Sequence, residues 1–408
     1  MARGANICII AINYAPEVTG CGPYTTDLAE RLVGEGHQVS VITGLPHYPQ
    51  WRVPEEHRNS FHRSETVNGV LIKRCWMYVP RRMTAVTRIA YELSFLLSAW
   101  WKSLKEKPDV VIAVSPALGD MIVGARLSRR TGASYGILVQ DLMAAATTQS
   151  NISGGDRVTK IASTIESRYL RQADSVAVIT ESFTKSLISQ GVLAENIVIS
   201  PNYSINKVVR MDKSEGRRIM GWDEDLFVLT HTGNMGLKQD LGNVIQAIKL
   251  VEDSRVRLML VGDGSQRSKL EGLAKGESRI KFMDLVPEES YSALLAASDV
   301  LLVNESPTIS DMSLPSKLTS YEASGRLILG AVVPGGNTSI RLQYTDNTLQ
   351  VPAGDALTLS SIITMMNDWP HDYLTESMVT EEIPDINIRN SRIDWVSYVW
   401  NIGHEKFN

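Results

Sequence analysis

Ten short apolar runs, five in each half, constrain what this chain can fold into more than any other feature. "NICIIAINY", "HQVSVIT", "DVVIAVS", "SYGILVQ" and "SVAVIT" occupy the first half, with helical stretches between them. From about residue 226 the alternation restarts with "LFVLTHTG", "RVRLMLVG", "RIKFMD", "DVLLVN" and "RLILGAV". Strands alternating with helices predict parallel sheets built from right-handed crossovers. A restart predicts a second sheet, so the expected fold is α/β with two Rossmann-like, doubly wound domains. Ligands of such sheets bind beyond the carboxyl ends of the strands, and two facing domains would share a cleft.

Length agrees, since 408 residues exceed one ordinary core. The expected domains are 1–203 and 204–387, with a tail at 388–408 rejoining the first. Trp395, Tyr398 and Trp400 stand at roughly helical spacing in that tail. The polar stretch "PNYSINKVVRMDKSEGRRIMGWDED" reads as a linker near 203 to 222.

A net charge of −4 gives no reason to expect nucleic acid. Cys8, Cys21 and Cys75 form neither a disulfide framework nor a zinc site and suit a reducing cytoplasm. No His or Cys cluster has metal spacing. The opening "MARGANICIIAINYAPE" lacks a small-residue cleavage site, so it is expected to be a buried first strand. "RRMTAVTRIAYELSFLLSAWWKSLKEK" carries Glu92 and an apolar part too short to span a bilayer. Its arginines and tryptophans suit a helix lying in a membrane interface; a core-facing helix after a basic loop is the other reading.

Four stretches carry candidate chemistry. In "NYAPEVTGCGPYTTDLAERL", Gly20 and Gly22 form a loop running into a helix, either an anion-binding turn or a plain one. The third glycine of the dinucleotide fingerprint is missing. In "LTHTGNMGLKQDL", Gly233 and Gly236 allow close backbone approach, Asn234 adds an amide and Lys238 a charge, which suits a diphosphate. The following loop, with Gly262, Asp263 and Gly264, is expected to shape a wall, because Asp263 would repel phosphate. Asp141, at the carboxyl end of a strand, either accepts a sugar hydroxyl or orients an acceptor, or caps a turn. His47 lies in a long loop of the same half.

"SDMSLPSKLTSYEASGR" is the most informative stretch. Pro315 suits a first helical turn, Ser313 or Ser316 can cap it, and Gly325 stops it. Lys317 opposes the helix dipole in that turn unless an anion is near. Asp311 is one candidate partner; a ligand diphosphate is the other.

These motifs, with "YVPRR", "SPNYS" and "PAGD", occur in the order seen in bacterial exopolysaccharide glycosyltransferases of the colanic-acid fucosyltransferase type, within glycosyltransferase family 4, which the chain resembles over nearly its whole length. The resemblance implies a GT-B fold and a metal-independent, hexosyltransferase-type enzyme. It implies a nucleotide-diphosphate sugar donor, GDP- or UDP-linked and by analogy fucose, and transfer with retention. The implied acceptor is a lipid-linked saccharide in surface polysaccharide synthesis, at the inner face of the cytoplasmic membrane. No cofactor is implied. Carried over by position, Gly20 and Gly22 look like the loop beside the donor phosphates, and Asn234 and Lys238 like diphosphate contacts. Leu285 and Val286 fall at the base pocket. Ser313, Pro315, Ser316 and Lys317 match the phosphate-and-sugar loop, with Asp311 at an acidic position. Leu138 replaces the histidine of the relatives' H-x-Q-D, and Met312 and Ser320 replace the wider family's two glutamates. A nucleotide-sugar 2-epimerase on the same fold and a non-catalytic partner subunit are the alternatives.

Overall fold

The computed structural model describes residues 4–17, 20–48, 51–58, 64–80, 84–142, 155–203, 208–308, 314–368, 395–396 and 398–399. The chain divides into two compact units, Met1–Asn202 with Ile386–Asn408, and Tyr203–Asp385.

The first unit is built on β1 (Asn6–Ile10), β2 (Gln38–Gly44), β3 (Ser64–Val67), β4 (Val70–Cys75), β5 (Val110–Ser115), β6 (Ser134–Val139), β7 (Ser175–Val178) and β8 (Ile197–Ile199). Their order in the sheet is β3-β4-β2-β1-β5-β6-β7-β8, parallel except for β3 against β4. β5, β6 and β7 are buried at every residue, as expected of strands covered on both faces. The pairing is continuous through the centre, with Ile9 beside Val41 on one side and Ile112 on the other.

All five runs expected in this half form strands, but the β3–β4 hairpin and β8 were not expected. Trp395, Val396 and Val399 are buried in the same core as Ile7, Ile9 and Val110. Trp395 Nε1 donates to Ser175 Oγ at 2.9 Å, and a Cβ on Gly136 would meet the Trp395 ring at 3.0 Å. Trp400 lies outside the described residues, and Tyr398 is exposed.

The second unit carries β9 (Phe227–Thr232), β10 (Val256–Val261), β11 (Ile280–Met283), β12 (Val300–Asn304), β13 (Leu327–Val332) and β14 (Thr348–Pro352). The order β11-β10-β9-β12-β13-β14 is wholly parallel and turns back between β9 and β12. That reversal is the topological switch point, where open α/β sheets place their ligands.

The expected linker is corrected in part: Lys213–Met220 is a helix of this unit. Its Arg217 is fully buried and donates to the carbonyls of Ala297 (2.6 Å) and Leu226 (3.0 Å). A helix that buries a guanidinium instead of an apolar stripe has no hydrophobic period to betray it.

Candidate donor site at the switch point of the second sheet

β9 ends in His231 and Thr232, and the chain turns at Gly233 with φ +95°, a conformation that favours glycine. The turn is pinned from two sides. On the β10 side, Met235 N donates to Asp263 O (2.8 Å) and Gln266 N to Met235 O (2.9 Å). A Cβ on Gly262 would lie 1.9 Å from the Gly233 carbonyl, so the two loops touch through backbone. The wall-forming part expected of residues 262–264 agrees with this packing. On the β12 side, Asn304 Nδ2 donates to the carbonyls of Gln239 (2.7 Å) and Asp240 (3.1 Å), and Ser306 N to that of Lys238 (2.8 Å). Lys238 lies in a 3₁₀ turn, Leu237–Gln239, and helix Leu241–Leu250 begins from Asp240 without a side-chain cap. The first amides of that helix are therefore not satisfied by a capping side chain.

Lys317 reaches the same point from the helix Ser316–Ser324. Its Nζ is 2.8 Å from His231 Nε2, and a Cβ on Gly233 would lie 3.9 Å from its Cε. Burial pushes the amine down to about 7. His231 is held well below its ordinary value by burial and then by Lys317. One turn further along, Tyr321 Oη accepts from Thr232 N (2.9 Å) and lies 3.1 Å from Thr232 Oγ1.

The structure thus brings Gly233, Asn234, Gly236, Lys238 and Lys317 to one end of one sheet. Pro315 and Ser316 are with them, but with a different role in the helix than expected. Pro315 sits at the cap position just before the helix, Ser316 is its first residue, and no side chain caps it. Gly325 ends it with φ +72°, as expected. Asp311 and Ser313 lie outside the described residues. Leu285 and Val286 follow β11 at the edge of the sheet; Leu285 is 60% exposed, while Val286 packs against the small cluster of Val228, Met259, Val261 and Leu294. Ser320 is buried and hydrogen-bonds the hydroxyl of Tyr291.

In the first unit, the loop after β1 is organised by a residue the sequence reading passed over. Glu17 Oε1 accepts from the amides of His47 (2.8 Å) and Tyr48 (2.9 Å), and its Oε2 from Asn13 Nδ2 (2.7 Å). His47 is buried, with Tyr91 Oη 3.0 Å from its Nε2 and the Leu45 carbonyl 2.8 Å from its Nδ1. Gly20 has φ +71° and Gly22 opens the helix Gly22–Gly34. Between them Cys21 is pushed up to about 12 by burial and then by Asp141, Asp120 and Glu17. Asp141 is therefore near the glycine loop; its Oδ1 accepts from Leu142 N at 2.9 Å.

Asp120 was not anticipated either. It is buried, Oδ2 accepts from Ile12 N (3.0 Å), Oδ1 has no hydrogen-bond partner among the described residues, and burial holds the carboxyl well above the usual range. Among the described residues no group of His, Cys, Asp and Glu is arranged to hold a metal ion.

Helix Ala85–Ser103 packs one side into the core, as the core-facing reading of its sequence expects, and leaves the other side exposed. Tyr91, Phe95 and Ala99 are buried in the core. Val86, Ile89, Leu93, Leu97, Trp100 and Trp101 are exposed, Trp101 to 69%. Among the described residues no helix is long and apolar enough to cross a membrane.

Two parallel-sheet α/β units of this kind, the second with its loops gathered at the switch point, define the GT-B class of glycosyltransferases. Solved structures agree on the fold. Sucrose-phosphate synthase from Thermosynechococcus elongatus matches with a TM-score of 0.73 at 16% identity, over 98% of both chains. Anabaena HepE in complex with UDP-glucose matches with a TM-score of 0.66 at 14% identity, over 97% of this chain and 100% of that one.

In sequence, residues 19–203 match the glycosyl transferase 4-like domain and residues 227–368 the glycosyl transferases group 1 domain. The putative colanic acid biosynthesis glycosyl transferase WcaI of Escherichia coli K12 is 32% identical over 331 residues, which is 78% of this chain and 81% of that protein. N-acetyl-alpha-D-glucosaminyl L-malate synthase of Bacillus anthracis is 24% identical over 83% of this chain and 84% of its own. The chain belongs to this family of glycosyltransferases.

Proposed function

We propose that the chain is a retaining glycosyltransferase that moves a hexosyl group from a GDP- or UDP-linked donor to a lipid-linked saccharide in surface polysaccharide synthesis, without a cofactor. The observation that carries the donor half is the meeting of Lys317 with the Gly233–Gly236 loop at the switch point of the second sheet. In glycosyl transfer the anomeric carbon–oxygen bond breaks as negative charge grows on the leaving diphosphate and positive charge on the sugar. In this reading Lys238, Lys317 and the loop amides stabilise the leaving charge, a contribution that is usually the largest in such sites. The acceptor hydroxyl attacks the same face, and its proton passes to the leaving phosphate oxygen. This reading calls for no metal. Leu285, exposed beyond β11, supplies an apolar surface for the base.

The name of the Escherichia coli relative supports polysaccharide synthesis, and the UDP-glucose complex of the Anabaena protein supports a nucleotide-sugar donor. Fucose is retained as the sugar by analogy with the resemblance. The lipid-linked acceptor is supported by the first unit. On the exposed apolar stripe from Val86 to Leu104, Arg126 lies over the Trp100 ring at 5.8 Å, and Lys102, Lys105 and Lys107 follow in sequence at its C-terminal end. An apolar stripe with such cations complements an anionic bilayer surface, and we assign it to the inner face of the cytoplasmic membrane. A cavity of about 640 Å³ lined by Trp51, Arg52, Arg58, Trp76 and Tyr78 joins cations to aromatic walls. That combination suits an acceptor carrying both phosphate and hydrocarbon.

The test is thermal denaturation with GDP-, UDP-, dTDP- and ADP-linked sugars, with and without EDTA. A bound donor raises the midpoint by mass action. One nucleotide class is expected to shift it, equally in EDTA; no shift with any donor would remove the donor-site reading.

A further inference from the structure

We propose that His231 is a positioning residue of the donor site: its buried ring accepts a hydrogen bond from Lys317, holds the amine beside the Gly233 turn, and leaves it to take up a proton when the diphosphate arrives. This inference rests on the donor-site reading above.

A strand buried at all six positions is ordinarily apolar, and β9 is not. Thr230 receives a hydrogen bond from Ser298 Oγ at 2.6 Å and Thr232 bonds Tyr321, so two of its polar residues are satisfied within the core. His231, wholly buried, is the third. Its Nε2 lies 2.8 Å from Lys317 Nζ and 3.5 Å from the Asn234 carbonyl, its Nδ1 lies 3.3 Å from the same amine, and the ring also bonds the Leu302 backbone. A neutral imidazole has one N–H and one lone pair. Nε2 cannot accept from Lys317 and donate to Asn234 at once; as the acceptor, at 2.8 Å from Nζ, it leaves the N–H on Nδ1, and the 3.5 Å approach to the Asn234 carbonyl is too long to compete. An imidazolium would have no lone pair to offer and would face an ammonium, so His231 stays neutral.

Lys317 is the charged group that acts on His231. Among the described residues, the titratable groups on the elements packed around the pair are Tyr321 and Glu322 on the same helix, Glu289 and Tyr291 on helix Glu288–Ala297, Glu305 after β12, Asp263 after β10, and Lys238 and Asp240 after β9; Glu322 is paired with Arg341. Both tyrosines are held up by burial and bonded to Thr232. Glu305 is also held up by burial and bonded by Thr338. Burial leaves Lys317 titrating near 7, so at neutral pH the empty site holds a mixture of amine and ammonium. A diphosphate stabilises the ammonium. Binding then takes one proton from solvent for each neutral amine it meets. Because protons are taken up, affinity falls as pH rises above 7, by about tenfold per unit, until the pKa of the bound state is reached.

Calorimetry of the full chain with UDP-glucose and GDP-linked sugars, whose bridging diphosphate does not titrate in this range, measures both quantities. In two buffers of different ionisation enthalpy at about pH 7.5, uptake of about three quarters of a proton is expected, and affinity about 15-fold weaker at pH 8.5 than at pH 7. Lys317→Arg, permanently charged, should bind with no pH dependence and no proton uptake. His231→Phe removes the acceptor and should lose at least about tenfold in affinity together with the proton uptake. His231→Gln, whose amide oxygen still accepts, should recover most of both and guards against a Phe variant that fails to fold. Donor binding by the wild type with neither proton uptake nor pH dependence overturns the inference and leaves the donor site standing. So does a folded His231→Phe with unchanged affinity and uptake. Failure of every nucleotide sugar to bind overturns the donor site and this inference together.

Discussion

Arg217 and Asp299 form an ion pair in which both side chains are wholly buried, with Arg217 Nη2 2.6 Å from Asp299 Oδ2. Asp299 also accepts from Val228 N at 2.7 Å and from Lys213 Nζ, so one carboxylate ties a helix, the start of β9 and the start of β12 together. Removing one partner of such a pair leaves an uncompensated charge in the interior, at a cost of about 3–5 kcal/mol. Asp299→Asn should lower the stability of the second unit by that order. Denaturant titration followed by far-ultraviolet circular dichroism measures it. A loss below about 1 kcal/mol would mean that the pair breaks even with its surroundings.

Lys317→Ala should weaken donor binding while the fold persists. A hydrogen bond to a charged group contributes about 1.5–3 kcal/mol, so about ten- to a hundredfold in affinity is expected. Circular dichroism checks the fold and calorimetry the affinity. Unchanged affinity would return the lysine to a purely structural place beside His231, or to Asp311.

Leu97→Asp with Trp101→Asp should abolish binding to vesicles of anionic phospholipid and leave donor binding intact. Both side chains are exposed, to 60% and 69%, so the fold should tolerate the change. Wild-type binding should weaken with salt, because part of the attraction is to the basic residues at the stripe. Equal sedimentation of wild type and variant with vesicles would show that the stripe meets something other than lipid.

Asp120→Asn should stabilise the first unit at neutral pH. Burial raises the folded-state pKa of Asp120 well above its unfolded value, so the folded chain binds the proton more tightly. That contribution is fully present at pH below the unfolded pKa, and it is lost as pH rises through the folded one. An asparagine accepts from Ile12 N as the acid does and carries no charge to desolvate. Melting midpoints of the two proteins should converge in acid and separate as pH rises; parallel curves would mean that the buried carboxyl finds a partner in solution.

The sequence was most legible where burial is simplest. Each of the ten apolar runs becomes a strand, because a strand covered on both faces must be apolar at consecutive positions. β3 reads Ser-Glu-Thr-Val and is mostly exposed, so it carried no such mark. Lys213–Met220 reads as linker in the sequence because its one large buried side chain is an arginine. In the candidate site, glycines and lysines announced the loop at 233–238 and the helix at 316. His231 did not stand out, since a lone histidine inside an apolar run is more often a satisfied core residue than a functional one. Asp120, in the first turn of helix Leu118–Thr131, looked like an ordinary complement to the helix dipole. Both depend on what lies across the fold, over a hundred residues away for Asp120 and Ile12, and local pattern holds no record of that.

The packing of Trp395, Val396 and Val399 beside β1 has a consequence for how the protein is made. On the ribosome a domain generally folds as a unit when its residues have emerged. Here the second unit, Tyr203–Asp385, is entirely synthesised before residues 395–399 exist. The half that is translated first is therefore completed last, and until then it presents an open seat beside Gly136 and Ser175 where the indole will go.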